Sequence, residues 1–129
     1  MIVVDSSVWI ANLRDLDTRA VRLLRSIEDP NEILVGDLIL LEVLQGARSE
    51  AHAARIEASL RQFRIEPLLD AGLAVRAAQN YRALREKGAT VRKTIDLIIG
   101  SFCLARGHAL LHDERDFAPM AEHLGLRVV

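Results

Sequence analysis

An α/β fold, with a central, mainly parallel sheet of about five short strands and helices on both faces, is what this sequence predicts. Three observations carry that reading. Ile2-Val3-Val4, Ile33-Leu34-Val35 and Ala109-Leu110-Leu111 are short and apolar throughout, as strands covered on both faces are. The segments between them repeat apolar residues at helical spacing. Gly, Pro and Asp stand at the junctions, where such elements are interrupted.

Taken in order, Ile2 to Val4 reads as a buried strand, and Ser6 or Ser7 is suited to cap a short helix through Leu13. Ala20, Val21, Leu23, Leu24 and Ile27 recur at helical spacing across 17–28, and Asp29-Pro30-Asn31 breaks that helix. A second strand, 33–35, ends at Gly36. Asp37 is suited to cap a helix from Leu38 to about Gln45, stopped by Gly46. Residues 50–62 form another helix. The stretch 64–68 reads as a short edge strand, because Pro67 has no N–H for a central ladder. The longest helix covers 70–87 and stops at Gly88. Thr94 is suited to cap a helix over 95–105, with Gly107 beyond its end. A third buried strand, 109–111, precedes a helix at 116–124 and a final strand at 126–129. No linker, repeat or low-complexity stretch interrupts 1–129, so a single domain is expected.

Half of the 129 residues are hydrophobic but only 4% are aromatic, so Leu, Ile, Val and Ala must fill the core. A net charge of -1 gives no global attraction for a polyanion, and any such binding must come from local basic clusters. The one cysteine, Cys103, cannot form an internal disulfide and reads as a packed thiol. With no signal-peptide pattern and no run of about 20 apolar residues, a cytoplasmic protein is expected. Nucleotide-cradling glycine motifs are absent, and His52, His108, His112 and His123 lack zinc-ligand spacing.

Four acids interrupt apolar surroundings. Asp5 ends the first strand, Glu42 lies within Leu38–Leu44, Asp96 lies within Ile95–Ile99, and Asp113 follows the third buried strand. A buried carboxylate is costly unless it is paired, hydrogen-bonded or bound to a metal. Each acid has a plain alternative. Asp5 caps a helix, Glu42 faces solvent, Asp96 favours a helix N-terminus, and Asp113 is a loop residue. Glu114 and Asp116, beside Asp113, leave the fourth acid open, and Asp116 is also suited to cap the last helix. Together the four favour one site at the carboxyl ends of the strands, occupied by a hard divalent cation that relieves their repulsion. Mg²⁺ fits, with Mn²⁺ as a substitute, and either would support phosphodiester hydrolysis. Gly100, one turn beyond Asp96, would leave room for a ligand, and Ser6 either caps the helix or bonds a metal-bound water or phosphate.

These motifs resemble a PIN domain of the VapC toxin type. The resemblance covers essentially the whole chain through Ile2-Val3-Val4-Asp5-Ser6-Ser7-Val8-Trp9, Leu41-Glu42-Val43-Leu44-Gln45-Gly46-Ala47-Arg48, Thr94-Ile95-Asp96-Leu97-Ile98-Ile99 and Leu110-Leu111-His112-Asp113-Glu114-Arg115-Asp116-Phe117. It implies a Mg²⁺- or Mn²⁺-dependent endoribonuclease, neutralised by a VapB-type antitoxin and usually a homodimer. Asp5, Glu42 and Asp96 carry over onto the family's acidic positions. Asp5 and Asp96 are the main expected metal ligands, Glu42 and Asp113 complete the catalytic set, and Asp116 or Glu114 is the alternative fourth acid. Arg92, Lys93 and Arg115 are the nearest candidates to hold RNA phosphates, with Arg14, Arg48, Arg85 and Lys87 further off. Trp9, Leu13 and the helix from Thr18 line an antitoxin groove, or Trp9 belongs to the core. Two other readings compete: a catalytically silent module that binds RNA or antitoxin, and a nuclease of RNA processing. A phospho-accepting receiver domain is excluded, because serines follow Asp5 where a second acid would stand.

Overall fold

In the computed structural model, which describes residues 1–129, β1 (Ile2–Val4), β2 (Ile33–Gly36), β3 (Arg64–Glu66) and β4 (Ala109–Leu111) form one sheet in the order β3-β2-β1-β4. Every pairing is parallel. Val3 lies opposite Leu34 on one side and Leu110 on the other, so β1 is central. Adjacent strand residues point to opposite faces. Val3, Val4, Leu34 and Val35 are all fully buried, so both faces of the central strands are covered. The chain steps outward from β1 to β2 to β3, then crosses back to place β4 on the far side of β1. The reversal falls between β1 and β4, and sites in parallel sheets open at the carboxyl ends of strands flanking such a point.

Seven helices make the connections: α1 (Ser6–Leu13), α2 (Arg19–Ser26), α3 (Asp37–Gln45), α4 (Glu50–Leu60), α5 (Ala71–Glu86), α6 (Thr94–Arg106) and α7 (Ala118–Leu124). One cluster of 27 buried side chains joins sheet and helices, including Trp9, Leu84, Phe102, Cys103, Phe117 and Met120. Trp9 is a core residue, 6% exposed, stacked at a tilt on Phe63 with ring centroids 5.3 Å apart. Within α6, every residue from Asp96 to Cys103 is buried, making it the central helix of the molecule. None of the helices is long and apolar enough to cross a membrane.

Several expectations shift. The fifth strand reduces to a single parallel bridge between Leu110 and Val128, held by Leu110 N–H to Arg127 O at 2.9 Å and Val129 N–H to Leu110 O at 3.0 Å. Only Leu126 of that tail is buried, so little anchors a longer ladder. β3 is an edge strand as expected, but it stops at Glu66, before Pro67. Asp5, not Ser6 or Ser7, caps α1. Gly36 occupies the cap position of α3, and Asp37 is the first helical residue, its Oδ1 accepting from Leu38 N–H and from Leu68 N–H at 3.0 Å. The latter bond ties the chain leaving β3 to the start of α3. α6 begins at Thr94 itself, and Asp116 lies in a short 3₁₀ turn, Arg115–Phe117, ahead of α7.

Candidate active site

Asp5 is the first residue beyond β1, with its carboxylate turned over the start of α1. Oδ2 accepts from Ser7 N–H at 3.1 Å and from the Ser7 hydroxyl at 2.6 Å. Oδ1 is buried with no hydrogen-bond partner, and the residue is 1% exposed. The Asp5 amide donates to Leu111 O at 2.9 Å, which fixes the acid to the end of β4. The helix cap and the site acid, alternatives in sequence, are therefore compatible in one side chain, because capping engages only one of its two oxygens.

Asp96 occupies the first turn of α6, where the helix dipole favours its ionised form. It is 3% exposed and its Oδ2 also has no partner. Burial, reinforced by the negative field of Asp5, pushes its pKa from 3.8 up to about 7. Glu114 and Asp116 push in the same direction and Lys93 opposes them. Glu42, half-buried on α3, accepts a hydrogen bond from the Ser6 hydroxyl at 3.0 Å. Its pKa is raised mainly by desolvation; the Ser6 bond acts against that, while Asp5 adds to it.

The acids thus come within electrostatic reach of one another from three elements, the β1–α1 junction, α3 and α6. Asp5 acts electrostatically on both Glu42 and Asp96, and so do Lys93 and Glu114. Lys93 Nζ lies 3.8 Å from a Glu114 carboxylate oxygen, which places a cation at the rim. Arg92 and Arg115 are exposed nearby in sequence, and neither is held in an ion pair. The favoured fourth acid, Asp113, is exposed and exerts its field on His112; Glu114 and Asp116 are the members of that loop that bear on Asp96. Room for a ligand at Gly100 is not found. A Cβ there would strike Met120, so this glycine serves close packing of α6 on α7.

No group of three or more acidic, His or Cys side chains is already drawn together to hold an ion. The fit therefore rests on two buried oxygens without donors, Asp5 Oδ1 and Asp96 Oδ2, whose carboxylates lie close enough for the charge of one to raise the pKa of the other. An all-oxygen donor set suits Mg²⁺ or Mn²⁺, and Mg²⁺ commonly takes only one or two carboxylates and keeps its waters.

Ser7 is the residue sequence reading missed. The signal was present: an Asp at a helix cap accepts from the residue two positions on, and here that residue is a serine. Another unassigned feature lies between α1, α3 and α4. Ile10, Leu13, Arg14, Val43, Gly46, Arg48, His52 and Ile56 line a cavity of about 440 Å³ between α1, α3 and α4. A smaller recess beside it, shared at Leu13, Val43 and Ile56, reaches Trp9, whose buried Nε1–H has no partner. The helix from Thr18 lines neither space. α2 turns Ala20, Val21 and Leu24 into the core instead.

Fold and site together define a parallel α/β domain with electrostatically coupled carboxylates at the switch point of its sheet. The chain belongs to the PIN-domain family, whose model matches residues 2–123. It is similar to ribonuclease VapC11 of Mycobacterium tuberculosis, 29% identical over 133 residues that cover 98% of this chain and 96% of that protein. VapC ribonuclease Mb1587 of Mycobacterium bovis matches to the same extent. Among solved structures, FitAB bound to a DNA fragment superposes with a TM-score of 0.80 at 19% identity, covering 100% of this chain and 94% of that one. VapBC2 of Rickettsia felis, bound to promoter DNA, gives 0.79 at 17% identity, with 100% and 98% covered. VapC20 of Mycobacterium tuberculosis, described as a sarcin-ricin loop cleaving toxin, gives 0.70 at 21%, with 98% and 99% covered. At these identities the structures bear on the fold alone.

Proposed function

We propose that this chain is a Mg²⁺- or Mn²⁺-dependent endoribonuclease, the toxin of a toxin–antitoxin pair. The observation that carries the reading is the pair of buried, donor-free oxygens on Asp5 and Asp96 at the carboxyl end of β1 and the N-terminus of α6. The ribonuclease names of its relatives, and a toxin–antitoxin complex from Klebsiella pneumoniae among its structural neighbours, support it.

A divalent ion, when bound, supplies an acidified water and neutralises charge on the phosphoryl group. Asp5 and Asp96 would hold it. Glu42, its proton affinity raised by burial and its carboxylate oriented by Ser6, accepts the proton of the attacking water. Ser6 therefore serves Glu42 rather than the substrate directly. Lys93 holds a phosphate at the rim, assisted by Arg92 and Arg115, and offsets the repulsion that three carboxylates exert on RNA. Glu114 or Asp116 completes the acidic set, with Asp113 on its outer side. Single-stranded loops, whose bases are accessible, are the favoured substrate class.

The partner is a VapB-type antitoxin whose docking segment enters the cavity between α1, α3 and α4. The walls of Ile10, Leu13, Val43 and Ile56 suit aliphatic or aromatic side chains. Arg14 and Arg48, neither paired with a carboxylate, suit an acidic residue of the same segment. A homodimer belongs to the same proposal; Val75 on α5 and Leu69 just before it, 61% and 46% exposed, are available to it.

Purified, antitoxin-free protein incubated with total RNA tests the activity, with Mg²⁺, with Mn²⁺ and with EDTA, beside Asp5→Asn and Asp96→Asn. Discrete cuts that need the ion and vanish in both folded variants are expected. Cutting that survives EDTA and both substitutions would overturn the proposal. Intact ion binding with no cut in any RNA would instead favour the silent binding module.

A further inference from the structure

We infer that Ser7 is a positioning residue that decides which oxygen of Asp5 faces the ion and couples that carboxylate to the loop after β4. The inference rests on the metal-site reading above. Capping α1 requires one contact, Ser7 N–H to Asp5 Oδ2 at 3.1 Å. The Ser7 hydroxyl makes a second contact to the same oxygen at 2.6 Å. One residue thus saturates Oδ2 from two directions and fixes the plane of the carboxylate. Oδ1 is left buried and free of any donor. Without the hydroxyl, the carboxylate keeps a single backbone contact and is free to rotate about it.

Having given its proton to Asp5, the hydroxyl can only accept from elsewhere. It does so from Asp113 N–H at 3.3 Å. That bond reaches across 106 residues of sequence to the loop carrying the fourth acid. The loop is fastened on either side, by Asp5 N–H to Leu111 O and by Glu114 N–H to His112 Nδ1 at 3.1 Å. Glu114 in turn acts on Glu42 and Asp96 and lies 3.8 Å from Lys93. The neighbouring serine does different work: Ser6 bonds Glu42 and has no contact with Asp5 beyond the chain. Two consecutive serines therefore orient two different carboxylates, and Ser7 is the one whose hydroxyl joins a metal-ligand carboxylate to the β4 loop.

Ser7→Ala tests this, because it removes the hydroxyl and keeps the backbone cap. Mn²⁺ binding measured by calorimetry should weaken about tenfold, in line with the loss of one hydrogen bond to a charged group. The Asp113 amide, followed by NMR in metal-free protein, should lose its protection and shift. Ser7→Thr should restore both within about threefold, and Ser7→Cys, a weaker donor, should fall between. Asp5→Asn measured alongside separates two kinds of failure. Binding that survives Asp5→Asn overturns the metal site itself. Binding lost in Asp5→Asn but within twofold of the parent in Ser7→Ala overturns the role of Ser7 alone. If Ser7→Ala does not fold, the order Ser, Thr, Cys decides, and an affinity ranking unrelated to donor strength overturns the inference.

Discussion

Asp96→Asn should make the metal-free protein more stable at alkaline pH. The folded carboxyl has a pKa near 7 against 3.8 for an ordinary Asp, with burial the main cause and Asp5 the next. The folded state therefore holds this proton more tightly than the unfolded chain does. Its contribution is fully present below pH 3.8 and is lost as pH rises through 7. The full gap between those values corresponds to at most about 4 kcal/mol. Solvent screening lowers this upper bound, and the dipole of α6 returns ~0.3–1 kcal/mol to the ionised form. A net gain of about 1–3 kcal/mol at pH 8 is expected for the Asn variant, since its amide sets a donor, not a second charge, near Asp5. In a domain of this size that is roughly 3–10 °C in Tm. Urea titrations in EDTA at pH 5 and pH 8 measure it, and the advantage should shrink at the lower pH. Saturating Mn²⁺ should reverse the order, because an ion that binds only the folded parent stabilises the parent alone. A variant less stable than its parent at pH 8 in EDTA would refute the reasoning and make Asp96 a structural group.

Lys93 lowers the proton affinity of both Glu42 and Asp96, so Lys93→Ala should move the acidic limb of the RNA-cleavage pH profile to higher pH; together with Arg92→Ala it should flatten the salt dependence of RNA binding measured by filter retention. Unchanged binding across salt would remove both residues from the RNA contact. Gly100→Ala forces a methyl against the thioether end of the fully buried Met120, an overpacking cost of about 1–3 kcal/mol that about 1 kcal/mol of helix propensity offsets, so a net loss of at most about 2 kcal/mol in chemical denaturation is expected, without a change in Mn²⁺ affinity. Cys103 is fully buried, with its thiol pushed up to about 12, and should resist thiol reagents at pH 8 while reacting promptly in urea. Arg14→Glu with Arg48→Glu should weaken capture of a VapB-type antitoxin, measured by calorimetry, and leave Mn²⁺ binding intact.

The strands at 2–4, 33–36 and 109–111 were legible because a run buried on both faces has no other use for uninterrupted Val, Ile and Leu. Cap positions slipped by one or two residues where good caps adjoin, as at Asp5-Ser6-Ser7, where three stand together and local preference alone does not choose. The last strand failed for a different reason. The expected strand 126–129 holds Val128 and Val129, which favour strands, but the tail reaches the sheet for only one bridge, and contact length is not encoded in propensity. Asp5, Glu42 and Asp96 stood out because each interrupts an apolar run. In the His112–Asp116 loop three acids occur within four positions, so the sequence offers no contrast. Which of them turns inward is decided by bonds to Ser7 and His112 that only the folded chain makes.

Strand order explains why the acids meet at all. β1 is flanked by β2, reached early in the chain, and by β4, reached more than a hundred residues later. Helices that cross over on opposite sides of this reversal diverge at the carboxyl ends of β1 and β4 and leave a cleft there. Asp5 caps α1 at that cleft, and α6, the helix leading into β4, aims its N-terminus and Asp96 at the same place. The Asp5–Leu111 and Ser7–Asp113 bonds form only when β4 has docked on β1. The folded chain also sets Asp5 against Asp96, whose charges repel. A closed core of 27 side chains can bear such a local cost, and the positive end of the α6 dipole reduces it. The pocket is thus a place where the fold holds like charges together against their preference, which is the condition under which a divalent cation gains most by binding.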